Sequence, residues 1–323
     1  METTPLHTVN FSTIVSESRN IVKANKGHFF ALSLFFLPFS ISIVVTPTLH
    51  SHLPGNFFTG ELFHKSLLSH PIPVVLHLLY ILIVYLLIFC GIGTISYSTY
   101  NVLIGKPVSY FASLKSLTFS FLPLISTAIL AHTIMFLILL TFLLFGGIIV
   151  MFGESVGFVI GFFSVILISF SIIIVKIIYL QTNWCLAFMV VVAESNWGIP
   201  ALKRSWYLVK GMRSVSVSLS SHFLIFFGSY FLIFFGSLVM LFSYNVPETV
   251  DAWSILNMIW LTITGSLMPM MWSVVNAVLY MHCKAFHGEL ALGIDEGFDH
   301  HYIILPSDDD KIHCVDVVTV VAA

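Results

Sequence analysis

The sequence predicts an all-α, polytopic membrane protein, a bundle of six transmembrane helices with both termini in the cytoplasm. Three observations carry that expectation. Charged residues make up 9% of the chain and apolar residues 58%, with 31 phenylalanines among 323 positions, whereas soluble domains carry about 25% charge. Asp, Glu, Lys and Arg are absent between Lys26 and Glu61, Lys65 and Lys106, Lys115 and Glu154, Glu154 and Lys176, Arg213 and Glu248, and Asp251 and Lys284. Each window holds an apolar run long enough to cross a bilayer as a helix, which takes about 20 residues. The basic residues, finally, gather in one set of loops.

The apolar runs place spans near 29–45, 73–96, 122–149, 156–180, 217–242 and 255–281. Cytoplasmic loops are enriched in Lys and Arg, and this fixes the orientation. Arg19, Lys23 and Lys26 precede the first span, Lys106 and Lys115 follow the second, and Lys203, Arg204, Lys210 and Arg213 follow the fourth. Lys284 and Lys311 follow the last, and the opposite side holds Lys65 alone. The chain therefore divides into an amphipathic cytoplasmic segment (1–28), a six-helix domain (29–288) and an acidic cytoplasmic tail (289–323). The first apolar run begins only near Phe29, so it is expected to be a retained helix and not a cleaved signal.

Lys176 is the one charge inside an expected span. It sits near the cytoplasmic end of helix four, where its stem can carry the ammonium to the headgroups. The apolar stretch from Trp184 to Ala193 is too short to span and is expected to be an interfacial or re-entrant continuation of helix four. A seventh span there would carry Lys203 to Arg213 across the membrane.

Several residue types are assigned no chemistry. His50, His52, His64 and His70 with Glu61 match no metal-ligand spacing, so neither a metal nor a cofactor is expected. Cys90, Cys185, Cys283 and Cys314 do not fall in an oxidising loop and do not form a disulfide framework. A net charge of −2 removes the basic face that nucleic acid requires. No acid–base pair or nucleophile arrangement stands out, and the chain is expected not to be an enzyme.

Two patterns speak to packing. Gly153, Gly157 and Gly161 recur every four residues at the start of helix four, and Gly228 and Gly236 lie eight apart in a repeated FLIFFGS on helix five. Small residues at helical spacing let a second helix approach, here within one bundle. Pro38, Pro123 and Pro269 fall in or beside spans, and Thr262, Thr264, Ser266, Ser273 and Asn276 form a polar stripe on helix six. Interhelical hydrogen bonds account for the stripe as well as a solute path does.

The segment ESNWGIPALKRSWYLVKG, Glu194 to Gly211, reads as a short basic amphipathic helix. Asn196 is its expected cap, Pro200 lies in its first turn and Gly211 marks its end. Leu202, Trp206 and Val209 are expected on one face. Lys203, Arg204, Lys210 and Arg213 would meet lipid headgroups, with Trp197 and Trp206 as interfacial anchors. Glu194, Gly198, Ala201, Leu202, Arg204, Ser205, Leu208 and Gly211 form a pattern that resembles the membrane domain of bacterial glycerophosphoryl diester phosphodiesterases. It is also similar to related plant multi-spanning proteins. Looser likenesses cover Phe11 to Gly27 and the NVLIGKPVS segment after helix two. The catalytic barrel of some members does not follow Gly288 here, so the resemblance implies a membrane domain without phosphodiesterase activity.

The expected function is that of a non-enzymatic integral membrane protein of an endomembrane (ER or Golgi) or the plasma membrane. It would organise lipids or other membrane proteins, which are its expected partners. The alternative is a transporter or channel for a small solute, lined by helices four to six.

Overall fold

The structure, a computed structural model, describes residues 9–42, 71–107, 109–153, 159–242 and 252–289. Among these the regular structure is helical and no strand occurs. The helices are α1 (Phe11–Ala24), α2 (Lys26–Ser33), α3 (Pro71–Leu103), α4 (Tyr110–Gly153), α5 (Val159–Trp184), α6 (Ala187–Glu194), α7 (Ile199–Val209), α8 (Arg213–Phe242) and α9 (Ala252–Phe286). Stretches long and apolar enough to cross a membrane occur four times among the described residues: Leu79–Leu103, Tyr110–Thr141, Ile174–Glu194 and Met258–Phe286. The described residues are those of a helical membrane protein.

The long helices run past the ends that hydrophobicity assigned them. α3 continues to Leu103 and α4 begins at Tyr110, twelve residues before the expected Leu122. The added turns are rich in Ser and Thr, and these side chains bond back along their own helix. Ser98 Oγ donates to the Thr94 carbonyl at 2.7 Å, Thr99 Oγ1 to Ile95 at 2.8 Å, Ser113 Oγ to Ser109 at 3.0 Å and Ser120 Oγ to Ser116 at 2.9 Å. A hydroxyl satisfied in this way stays inside a helix at little cost. α4 reaches 44 residues, or about 66 Å at 1.5 Å per residue, against about 30 Å of bilayer hydrocarbon.

The expected first span differs in a second way. α2 ends at Ser33, a 3₁₀ turn occupies Leu34–Phe36, and helix resumes over 37–42. Pro38 lies four residues after Leu34, and its ring excludes the carbonyl of the residue four before it, so the tighter turn falls where the α-ladder must be interrupted. Residues 43–70, with the histidine loop, lie outside the described residues, as do Gly157 and 290–323.

The chain folds as two compact units. One contains residues up to Ser18, Ser126–Ser220 and the chain from Val275 onward; the other contains Arg19–Ile125 and Ser221–Val274. In the second unit Gly91 faces the Phe36 ring so closely that a Cβ would lie 2.8 Å from it. His28 is buried there, its Nε2 3.0 Å from Ser98 Oγ, which lies 2.7 Å from Ser113 Oγ. Burial pushes the His28 pKa below its ordinary 6.5, which keeps the imidazole neutral at physiological pH. The polar stripe of α9 is largely self-satisfied: Thr262, Thr264, Ser266 and Ser273 donate to carbonyls three or four residues back.

The first unit holds α5, α6, α7, the start of α8 and the end of α9. Trp184–Ala193 does continue helix four, after a break at residues 185–186. It is buried in protein, with Leu186 and Val190 fully covered, and α7 packs against both α5 and α6. Lys176 is exposed on α5. Gly153, Gly161 and Gly236 lie on described helices, α4, α5 and α8. Gly228 was expected in a close helix contact; among the described residues nothing lies within 4 Å of a Cβ placed on it. Its neighbour Ile225 is exposed as well.

Candidate functional site

The site grows from the elbow between α6 and α7. α6 ends at Glu194, and Ser195 takes a left-handed conformation with φ 56°. The chain then turns through Asn196 and Trp197 to Gly198, whose φ of 69° and ψ of −136° belong to a region that favours glycine. Gly198, and not Asn196, is the residue that caps α7. Its N–H donates to Thr127 Oγ1 at 2.8 Å, a partner 71 residues earlier in the chain. Pro200 follows in the first turn, where its missing N–H would have had no helical partner.

α7 buries Ala201, Leu202, Ser205, Leu208 and Val209, a stripe at helical spacing. Trp206, expected on this face, is instead 41% exposed and meets the Tyr179 ring edge-on at 5.9 Å. The position on the stripe is taken by Ser205, whose hydroxyl donates to the Asn183 carbonyl at 2.7 Å. That carbonyl lies in the last turn of α5, where helical partners run out. α7 closes with Met212 N–H to the Val209 carbonyl at 3.0 Å. Gly211 follows Lys210, and the Phe286 ring lies in the space its side chain would need.

On the other side of α7 stands a clasp of charges. Arg204 Nε donates to Glu194 Oε2 at 3.0 Å and Nη2 to Glu194 Oε1 at 3.2 Å. Nη1 donates to Glu289 Oε1 at 2.9 Å, and Nη2 also pairs with Glu289 Oε2. One guanidinium is thus held in bidentate fashion by two carboxylates, the arrangement its planar fork suits best. Tyr280 Oη donates to Glu194 Oε1 at 2.8 Å, and Lys284 Nζ stands 3.9 Å from the same oxygen. The Tyr207 ring lies 5.6 Å from Arg204 Cζ, and the His287 ring lies 4.7 Å from Tyr207. His287 Nδ1 is 2.8 Å from the Cys283 carbonyl, which only accepts, so this nitrogen carries the proton.

The electrostatics follow from this geometry. The hydrogen bonds from Arg204 hold the Glu289 carboxyl below its ordinary 4.5, against the opposing effect of its burial, and the charges of Arg204, Lys284 and His287 lower it further. Arg204 is in turn held above the ordinary guanidinium range, chiefly by its bonds to Glu289. Both groups stay ionised at any physiological pH. A second polar contact ties α1 to the end of α9, with His282 Nε2 2.9 Å from Glu17 Oε2.

Of the six residues assigned to headgroups, the structure separates one from five. Arg204 is engaged in the clasp. Lys203, Lys210, Arg213, Trp197 and Trp206 are exposed, with Ile199 and Tyr207 among them. Among the described residues no carboxylate pairs with Lys203, Lys210 or Arg213. Sequence reasoning missed Thr127, Tyr280 and Lys284 as partners of this segment and left Glu289 in the tail. No group of three His, Cys, Asp or Glu side chains among the described residues is placed to hold a metal.

Fold and site together define a helical membrane protein with an arginine-locked amphipathic helix packed against α5 and α6. The chain belongs to the family described as a domain of unknown function, DUF8558, which matches residues 1–296. No curated protein and no solved structure matches it.

Proposed function

We propose that this is a non-enzymatic, multi-pass protein of an endomembrane or the plasma membrane that organises lipids, or partner membrane proteins, at its cytoplasmic face. The observation that carries the reading is the exposed rim of α7 and its flanks. Lys203, Lys210 and Arg213 present three positive charges unpaired by any described carboxylate, beside the exposed Trp197 and Trp206. Indole and ammonium groups side by side suit the headgroup layer, where one end of a side chain is apolar and the other wet. The likeness to the membrane domain of the glycerophosphoryl diester phosphodiesterases is part of this proposal; it is concentrated in Glu194–Gly211, with looser likenesses at Phe11–Gly27 and NVLIGKPVS.

Each basic residue near an anionic surface contributes about 1 kcal/mol. Reversing Lys203, Lys210 and Arg213 to Glu is expected to remove most binding of short-chain phosphatidylserine to the purified protein, with helicity unchanged by circular dichroism. Undiminished binding would leave the rim without this role. The transport alternative gains little, because the hydroxyls of the α9 stripe bond to their own helix.

Six spans with both termini cytoplasmic complete the proposal. Eleven of the thirteen basic residues fall on the side that this arrangement makes cytoplasmic. A glycosylation site inserted between His52 and Phe63 is expected to be used, while sites near Lys203 or after Lys311 stay unmodified. Modification near Lys203 would overturn the topology.

A further inference from the structure

The fork of Arg204 already holds an anion, and that anion belongs to the chain itself. We propose that the Arg204 fork is a phosphate-binding site that Glu289 occupies as a built-in competitor. The ligand class is a phosphate monoester, carried on a lipid headgroup or free in solution. The inference rests on the reading of α7 as a headgroup-facing element and extends it to a specific site.

The two carboxylates in the clasp are not equivalent. Glu194 ends α6 and is the more enclosed, with 15% of its side chain exposed. It also receives the Tyr280 hydroxyl and stands near Lys284. Removing it would leave Tyr280, a fully buried ring, without that bond. Glu289 follows the end of α9, is 26% exposed, and among the described residues its carboxylate takes its hydrogen bonds from Arg204. It is the partner that can be exchanged while the rest of the clasp stays in place.

What replaces it must match the geometry. Nη1 and Nη2 face Glu289 as a parallel pair of donors, and such a pair accepts two phosphate oxygens as readily as two carboxylate oxygens. Lys284 Nζ stands 3.9 Å from Glu194 Oε1 and the His287 ring 4.7 Å from that of Tyr207, so both flank the clasp. A group that takes the place of Glu289 therefore meets the Arg204 fork, with Lys284 and His287 nearby and Glu194 as the one opposing charge on the same guanidinium. A phosphate monoester brings a charge of about −1.5 to −2 near neutral pH, where the carboxylate brings one. The exposed Lys203 and Tyr207 stand on either side of Arg204 along α7, on the outer side of the same helix. Glu194 is then the fixed wall of the site and Glu289 its occupant.

The test uses the full-length protein in detergent micelles and two probes, dioctanoyl phosphatidylinositol phosphate and the soluble inositol phosphate headgroup, with binding read by native mass spectrometry and calorimetry. Glu289→Gln is expected to bind the lipid probe at least fivefold more tightly than the parent, a gain that misfolding does not mimic. Adding Arg204→Gln to Glu289→Gln is expected to abolish the gain. Glu17→Gln, which makes the same change in net charge at a carboxylate outside the clasp, is expected to shift affinity less than twofold. A Glu289→Gln affinity equal to the parent's, or an equal rise in Glu17→Gln, would overturn the proposal. Tightening for the lipid alone assigns the site to a headgroup in the membrane, and equal tightening for the soluble probe assigns it to the phosphate itself. Loss of phosphatidylserine binding in the Lys203, Lys210 and Arg213 reversal, with Glu289→Gln unaffected, would leave the broader function standing and remove only this site.

Discussion

The 11 residues of α7 and the 44 of α4 are held by different forces. α7 buries five side chains and is fixed at its start and its middle by bonds to distant parts of the chain. These are Gly198 to Thr127, Ser205 to Asn183, and Arg204 to Glu194 and Glu289. In the apolar stretch of α4 only 17% of the residues are buried, and Phe111, Phe119, Leu122 and Phe136 stand exposed. A helix that short is marginal without tertiary contacts, so polar locks set its position. α4 needs no lock, because in lipid its own backbone bonds and apolar surface suffice. Substitutions should therefore be costly around α7 and nearly silent on lipid-facing helices.

The largest effect is expected at Gly211. A Cβ there would run into the Phe286 ring, and Leu would force that ring out of its place beside the clasp. Overpacking of this kind typically costs about 1–3 kcal/mol, and Gly211→Leu should fall at the upper end. Thermal unfolding of the detergent-solubilised protein measures it. An unchanged midpoint would mean that the end of α7 is as loosely held as a lipid-facing helix, and the comparison would fail.

Next comes Thr127→Val, which keeps the side-chain shape and removes the acceptor of the buried Gly198 N–H. An orphaned buried donor costs about 1–3 kcal/mol, and about 2 kcal/mol is expected here. Thr127→Ser, which keeps the oxygen, should restore most of it. If Val and Ser lower the midpoint equally, the methyl group matters and the cap does not.

These two residues also show what could be read in advance. The helices were legible because their apolar runs exceed the bilayer thickness. Their ends were not, since Ser98, Thr99, Ser113 and Ser120 hide their hydroxyls against their own backbone while looking like loop residues in composition. The segment from Glu194 to Gly211 was legible as a basic amphipathic helix, but its cap was misplaced. Asn196 has the right chemistry for capping, whereas Gly198 wins through a backbone angle and a threonine far away in sequence. Glu289 was hidden for the same reason: its partner lies 85 residues away, and no local pattern signals such a pair.

A smaller effect is expected from Arg204→Lys. The charge remains, but one ammonium cannot satisfy two carboxylates in bidentate fashion, and a partly exposed pair is screened by solvent. A loss of about 1 kcal/mol follows from those two limits. The pH dependence gives an independent measure. Glu289 has a lowered pKa in the folded protein, so its contribution is fully present above the ordinary carboxyl value of 4.5. It is lost as pH falls through the lowered value. The difference in stability between parent and Arg204→Lys should accordingly be constant from pH 7 to 5 and shrink below that. A difference that shrinks instead between pH 7 and 6 would point to a histidine and not to Glu289.

The smallest effect is expected at Gly228, and it bears most directly on the contrast. A Cβ there meets nothing among the described residues within 4 Å, so a Leu has room to extend without displacing a described neighbour. Beside the exposed Ile225 the new side chain would face lipid tails as apolar as itself. Leu is also a better helix former than Gly by about 0.8 kcal/mol in an exposed helix interior, which favours a slight gain. Gly228→Leu should therefore leave the unfolding midpoint unchanged or raise it slightly. Glycine at this spacing is otherwise a device for close helix approach, so oligomer size is the second readout, by size exclusion with light scattering. A stable monomer before and after substitution means that the glycine serves no contact. A parent oligomer that falls apart in Gly228→Leu would mean that the α8 surface at Ile225 and Gly228 is covered by a second copy and not by lipid, and α8 would then belong with the locked elements.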